Sequence, residues 1–396
     1  MEPIEFVASY YYSTVYYIFL LVISWMTSLY YIGSNGQKVL NKEENDPSQV
    51  AAVGMVLILG FFIGLRPIAR DFGDTSSYAA NYNYISNITV QYMPVSLKTE
   101  WFWRDLQNFC RLTLRMNVHE FFLMIALGYY GGMLICSIIM VRKNLWLSIM
   151  FFLTAFQTFT FSTNGIRNGI ACSMVLVAIA ILSEKKKLTF WSAILMFLAM
   201  GTHRSTMLPS AAALFSIYVI KDTKTALRFW ILSIALSLVV GHAVENFFAS
   251  LGFDDRMEGY HNAQFEDRTS NKFSHTGFRW DFLMYSVFPV VMIWYVTRKR
   301  HFNDLQYNVI ANTYLFCNAF WIMVIRAAYS NRFAYLSWFI YPMVMAYPLL
   351  RMNVWKEQDR RTAIIFFLYS GFTFFMFFIY YFGTTGFKGF DQYWWK

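Results

Sequence analysis

Apolar runs of bilayer-crossing length follow one another along almost the whole chain, and this constrains the fold more than any other feature. A membrane-spanning helix needs about 20 predominantly apolar residues. Runs near 10–33, 49–66, 118–141, 145–161, 165–183, 188–203, 206–220, 226–249, 278–296, 305–325, 333–350 and 362–382 meet or approach that length. The pattern predicts an all-α polytopic membrane protein with about twelve transmembrane helices. Only 14% of the 396 residues are charged, against about a quarter in a soluble domain. A transmembrane barrel would alternate apolar and polar residues over short segments, and no part of the sequence does so. No repeat, proline-rich linker or low-complexity stretch divides the chain, so it reads as one integral membrane domain over 1–396. The start, Met1-Glu2-Pro3-Ile4-Glu5, is acidic rather than basic, so the first run is predicted to be a retained span and not a cleaved signal.

Lysine and arginine give the orientation. Arg142-Lys143, Glu184 to Lys187, Lys221 with Lys224, Arg298 to Arg300 and Arg351 to Arg361 fall on one side of the predicted helices. Short basic loops mark the cytoplasmic face, so both termini are expected outside. In this arrangement the net charge of +10 sets topology and is no sign of a nucleic-acid partner. Two outer loops are large, near 67–117 and 250–277. Within the first, WFWRDLQNFCRLTLRM lines up Phe102, Leu106, Phe109 and Cys110 on one helical face. It predicts a short helix, either lying in the membrane interface with Trp101 and Trp103 at headgroup depth or packed on the bundle. The cysteines, Cys110, Cys136, Cys172 and Cys317, form no CxxC pair, and three lie in apolar runs. Neither a disulfide framework nor a metal site is expected, and no cofactor.

The basic residues divide unequally by type. The predicted cytoplasmic side holds ten lysines and seven arginines, the outer side four lysines and twelve arginines. Topology alone does not explain that bias. Arg66, Arg167, Arg204, Arg279, Arg326 and Arg332 sit at or within span ends. A guanidinium in hydrocarbon costs at least a few kcal/mol, so each needs compensation. Snorkelling to headgroups or capping the C-terminal end of a helix would serve for any single one. Six together, nearly free of lysine, suit a shared phosphate or pyrophosphate, which the planar fork binds through two parallel hydrogen bonds.

Acids and bases accompany them. GLRPIARDFGDTSSY carries Arg66, Arg70, Asp71, Asp74 and Tyr78; GTHRST carries His203 and Arg204 at an abrupt break; GFRWDF carries Arg279 and Asp281. His203 and Asp74 are rival candidates for a general base, with Asp281 a further catalytic candidate. Asp74 and Asp281 could instead neutralise the arginines, and His203 could be a polar residue satisfied at a helix end. His242 and Glu245 look like local packing, and His261 and His275 have no second ligand at metal spacing. There is no GxSxG elbow, P-loop, HExxH or dinucleotide fingerprint.

At these residues the sequence resembles the EpsG family of polytopic membrane proteins, grouped with Wzy-type polysaccharide polymerases. The resembling motifs are GLR then GDTSSY, NGIRNGIA, GTHRS, GFRWDF and SNRFAYL, in that order over about 60 to 340. The padded RPIARDFGDT departs from the pattern and leaves open whether Asp71 or Asp74 is the equivalent acid. The resemblance implies metal-independent joining of polyprenyl pyrophosphate-linked repeat units into an O-antigen, capsule or exopolysaccharide at the outer leaflet. It implies a plasma-membrane location, an outward-facing site and a separate chain-length regulator as partner. On that view Arg167, Arg279 and Arg332 hold the pyrophosphate, with Arg66, Arg204 and Arg326 as further candidates. Two alternatives stay open: a GT-C-type glycosyltransferase using a lipid monophosphate sugar donor, and a transporter of lipid-linked oligosaccharide.

Overall fold

The computed structural model describes residues 7–34, 38–41, 47–250, 278–326 and 331–380, without the side chains of 240–250, 331, 379 and 380. The predicted second outer loop, with His261 and His275, and the side chains of His242 and Glu245 lie outside the described residues. The described secondary structure is helical throughout. In chain order the helices are α1 (Tyr12–Ile32), α2 (Pro47–Gly64), α3 (Thr75–Tyr84), α4 (Trp101–Asn108), α5 (Val118–Met140) and α6 (Leu145–Leu153). Then come α7 (Thr158–Thr163), α8 (Ile166–Lys185), α9 (Phe190–Thr202), α10 (Met207–Tyr218) and α11 (Thr223–Ser250). The chain ends with α12 (Trp280–Trp294), α13 (Leu305–Met323), α14 (Asn331–Trp338), α15 (Tyr341–Arg351) and α16 (Gln358–Phe375).

Among the described residues, seven segments are long and apolar enough to cross a membrane: Ser9–Ile32, Pro47–Gly64, Val118–Met140, Ile166–Lys185, Trp280–Lys299, Arg332–Arg351 and Gln358–Phe378. The protein is therefore a multi-pass helical membrane protein. The expected count of twelve is not reached by this measure, and the reasons are local. The run at 145–161 breaks into α6 and the six-residue α7, and α9 and α10 have only 13 and 12 residues. Helix α13 has the length but carries Gln306, Asn308, Asn312 and Asn318.

Cα packing groups the chain into two compact units. The first contains Met1–Pro94, Trp101–Ser173 and Ala346–Lys396. Here α1 packs on α16, and α2 on α5. Helix α1 shows how a bilayer inverts the soluble pattern. Its buried residues are Tyr12, Thr14, Tyr16, Tyr17, Leu20, Ser24, Thr27, Ser28 and Tyr31, whereas Trp25 (59%), Met26 (62%) and Leu29 (55%) are exposed. Polar groups turn inward because lipid offers them no hydrogen bonds. Small residues let helices approach: a Cβ on Gly64 would stand 2.7 Å from the Cα of Leu123 in α5, and one on Gly60 would be 2.8 Å from the Leu127 side chain. These two glycines form a GxxxG face. Gly64→Ala is expected to cost about 1–3 kcal/mol, because backbone and not a pliable side chain has to yield. Thermal unfolding in detergent checks this, and a wild-type midpoint would contradict it.

The second unit contains Val95–Glu100 and Met174–Met345. Its centre is α13, which packs against α10, α11 and α14. The Asn318 amide, fully buried, accepts from Trp230 Nε1 at 2.8 Å and donates to Ser286 Oγ at 3.1 Å and Ser337 Oγ at 3.0 Å. Trp338 Nε1 also donates to Ser286 Oγ, at 2.8 Å. One amide thus joins α11, α12, α13 and α14 through a satisfied network, the condition under which buried polar groups specify packing. All four cysteines are buried, and none is in a disulfide.

Candidate functional site

In the first unit the structure joins two neighbouring motifs to a third that is distant in sequence. Arg66 follows the end of α2 and is 1% exposed. Its fork donates to Ile63 O at 2.9 Å, Thr75 Oγ1 at 3.0 Å and Thr163 O at 3.0 Å. The rings of Phe122 and Phe72 lie 5.1 and 5.7 Å from its Cζ. Burial pushes its pKa down to about 10, which leaves it charged at neutral pH. Thr75 Oγ1 donates to the same Thr163 carbonyl at 2.7 Å. One residue later Asn164 Oδ1 accepts from the Asp74 N–H at 2.9 Å. The turn beneath it needs Gly73, whose φ is 61° and where a Cβ would meet Asn164 Oδ1 at 2.4 Å. GLR, GDTSSY and the start of NGIRNGIA therefore form one assembly, in which Arg66 holds protein oxygens. Asp71 and Asp74 are both exposed; Asp71 accepts from Ser9 Oγ at 2.6 Å.

Helix α4 exists, and Trp103 decides between its two expected placements. It is 5% exposed and lies edge-on to Tyr78 and Phe121, with ring centroids 6.0 and 5.6 Å away. The helix is thus packed on its neighbours through Trp103, which is buried and not open to its surroundings. The expected apolar face is also displaced, since Trp103, Gln107, Asn108 and Cys110 are buried while Phe109 is 50% exposed. The five-residue π turn at Phe109–Thr113 rotates the residues after α4 off the helical face assumed from the sequence.

Four of the arginines begin helices. Arg167 is the second residue of α8, Arg279 is the N-cap of α12, Arg332 is the second residue of α14, and Arg204 opens the 3-10 turn leading into α10. Each therefore lies at the N-terminal end of the helix it opens, although Arg204 also directly follows the C-cap of α9. A cation at a helix N-terminus is opposed by the helix dipole. The guanidinium and the dipole there put positive potential in one place, which favours an anion. Arg167 and Arg204 are half-buried and Arg332 is exposed. Arg279 is paired: its Nε and Nη2 reach the Asp281 carboxylate at 2.9 and 2.7 Å, and the Phe282 ring lies 3.7 Å from its Cζ. Asp281 therefore neutralises an arginine. Arg326 follows α13, donates to Ser237 O at 2.5 Å and lies 5.5 Å from the Phe278 ring.

His203 occupies the one-residue link between α9 and the 3-10 turn, in extended conformation (φ −148°, ψ 112°). Its Nδ1 lies 2.7 Å from Glu100 Oε1, and both side chains are largely buried. The Arg204 N–H points to the same oxygen at 3.4 Å. Arg204 also lines a small, partly open cleft with Ser205, Met207, Leu208, Phe320, Phe333 and Leu336. Sequence reasoning missed Glu100, which stands 103 residues from His203. Its one signal is that it is the sole acid between Thr75 and Arg104.

The model of the EpsG family matches residues 50–393. No curated protein and no solved structure matches the chain.

Proposed function

The chain belongs to the EpsG family, associated with exopolysaccharide biosynthesis, and from that premise we propose that it polymerises polyprenyl pyrophosphate-linked oligosaccharide repeat units. In a bilayer, α6 with α7, and α9, α10, α11 and α13, add crossings to the seven long ones, making twelve. The site faces outward from the plasma membrane, and a chain-length regulator acts as a separate partner.

One observation carries this reading: Arg167, Arg279 and Arg332 stand at the starts of α8, α12 and α14, helix ends whose dipole favours an anion. Arg167 of the first unit, and Arg332 and the Asp281-held Arg279 of the second, are each phosphate donors, with Arg204 and Arg326 as further ones. Their fixed positive charge stabilises the leaving group as its charge builds in the transition state. Arg66, already bonded to three protein oxygens, holds the assembly from inside. His203 takes the proton from the acceptor sugar hydroxyl. The new bond forms between that oxygen and the anomeric carbon, the bond from anomeric carbon to pyrophosphate breaks, and lipid pyrophosphate leaves with the electron pair. No metal takes part in this scheme. Asp74, exposed at the start of α3, is the rival base and belongs to the GT-C-type alternative.

Product size tests the assignment. With purified protein and a lipid pyrophosphate-linked repeat unit, a ladder of repeats is expected. A single sugar added from a lipid monophosphate donor would replace this reading with the GT-C one, and movement of unaltered substrate across proteoliposomes would replace it with transport.

A further inference from the structure

We propose that Glu100 is the positioning residue for the His203 base. Its carboxylate holds the imidazole with Nδ1 protonated, presents Nε2 as the proton acceptor, and stabilises the imidazolium formed when the acceptor hydroxyl is deprotonated. The proposal rests on the assignment of His203 as base.

The geometry is specific. At 2.7 Å the Nδ1 to Oε1 contact has the length of a charge-assisted hydrogen bond. The pair is sheltered, with side-chain exposures of 18% for His203 and 26% for Glu100. Its backbone is held on both sides. The Arg204 N–H addresses the carboxylate, and Thr206 Oγ1 donates to His203 O at 2.8 Å. Glu100 comes from Val95–Glu100, the piece of the first loop that groups with the second unit. Helices α9 and α10 contain no charged residue. Besides Glu100 itself, the charges on the elements next to the pair are Arg204, the exposed Lys98, Arg104 and Asp105 of α4, and Arg332 of α14, which packs on α10. A carboxylate on one ring nitrogen fixes the tautomer and makes the other nitrogen a better base. A mere tether between loop and helix end would need the hydrogen bond but not the charge.

Glu100→Gln keeps size and an acceptor oxygen while removing the charge, so it separates these roles. The first readout does not depend on the transfer reaction. His203 in detergent-purified protein is modified with diethyl pyrocarbonate across a pH series and quantified by mass spectrometry. Without the carboxylate the midpoint is expected to fall by about one pH unit; an unchanged midpoint would overturn the proposal. The second readout is polymerisation. Glu100→Gln should lower kcat roughly 100-fold with KM and melting temperature unchanged, and Glu100→Asp should recover part of the rate. In a His203→Gln background, Glu100→Gln should cost nothing further. A loss that adds in full there would place Glu100 outside the histidine's action and refute the proposal. If wild type makes no polymer yet the midpoint shifts, the polymerase reading fails while the hold of Glu100 on His203 is supported.

Discussion

Arg66→Ala is expected to destabilise the protein by on the order of 4 kcal/mol, because it removes three buried hydrogen bonds from a charged donor. The acceptors are Ile63 O, Thr75 Oγ1 and Thr163 O. Thr75 and Thr163 keep their mutual bond at 2.7 Å, so the assembly loosens at α2 first. Arg66→Lys should recover about half the loss, since one ammonium cannot reproduce a fork that reaches three directions. Thermal unfolding in detergent measures both. A wild-type melting temperature for Arg66→Ala would show that the fork is not committed to the fold, and would return Arg66 to the anion-binding set.

The second large effect falls on activity. Arg167→Ala should reduce polymerisation by roughly 1,000-fold, as expected when a preorganised donor aimed at developing charge is lost. Its melting temperature is measured alongside, so that lost polymerisation in a protein with the wild-type midpoint is read as a loss of function. Arg167→Lys should remain at least tenfold impaired, since an ammonium keeps the charge without the bidentate geometry. An Ala variant that polymerises normally would remove Arg167 from the mechanism. A variant that fails to fold would assign it to structure.

Much of this architecture was legible from hydropathy, and its failures have identifiable causes. Long apolar runs such as 118–141 returned as single helices, with Val118–Met140 close to the expected ends. The uncertain breaks also fell where short polar clusters interrupt apolar sequence: Asn164 and Gly165 before α8, and His203 before α10. Composition could not reveal that α6 and α7 split one run, or that α13 uses asparagines to join its neighbours. The second depends on tertiary partners. The burial of Trp103 was hidden for the same reason: a tryptophan beside charged residues reads equally as an interface anchor or a packing residue until Phe121 and Tyr78 are placed.

The candidate site was legible as residue types more than as contacts. Asp281 proved to be one of the neutralising partners considered at the outset. The sidedness of arginine pointed to an anion, while the helix ends on which those arginines sit emerged only with the fold. Arg66 shows the limit of that reasoning. A buried arginine at a span end looks the same in sequence whether its fork meets a ligand or Thr163 O. Glu100 shows the converse, because a contact across 103 residues leaves no local pattern.

The central claim is that these arginines serve glycan polymerisation. The most direct test is to give purified protein a polyprenyl pyrophosphate-linked repeat unit in the presence of EDTA and resolve the products on a gel. A ladder of repeats that persists in EDTA and disappears in Arg167→Ala is the predicted result. Substrate recovered at its original size from folded wild-type protein, with and without added divalent metal, would contradict the account.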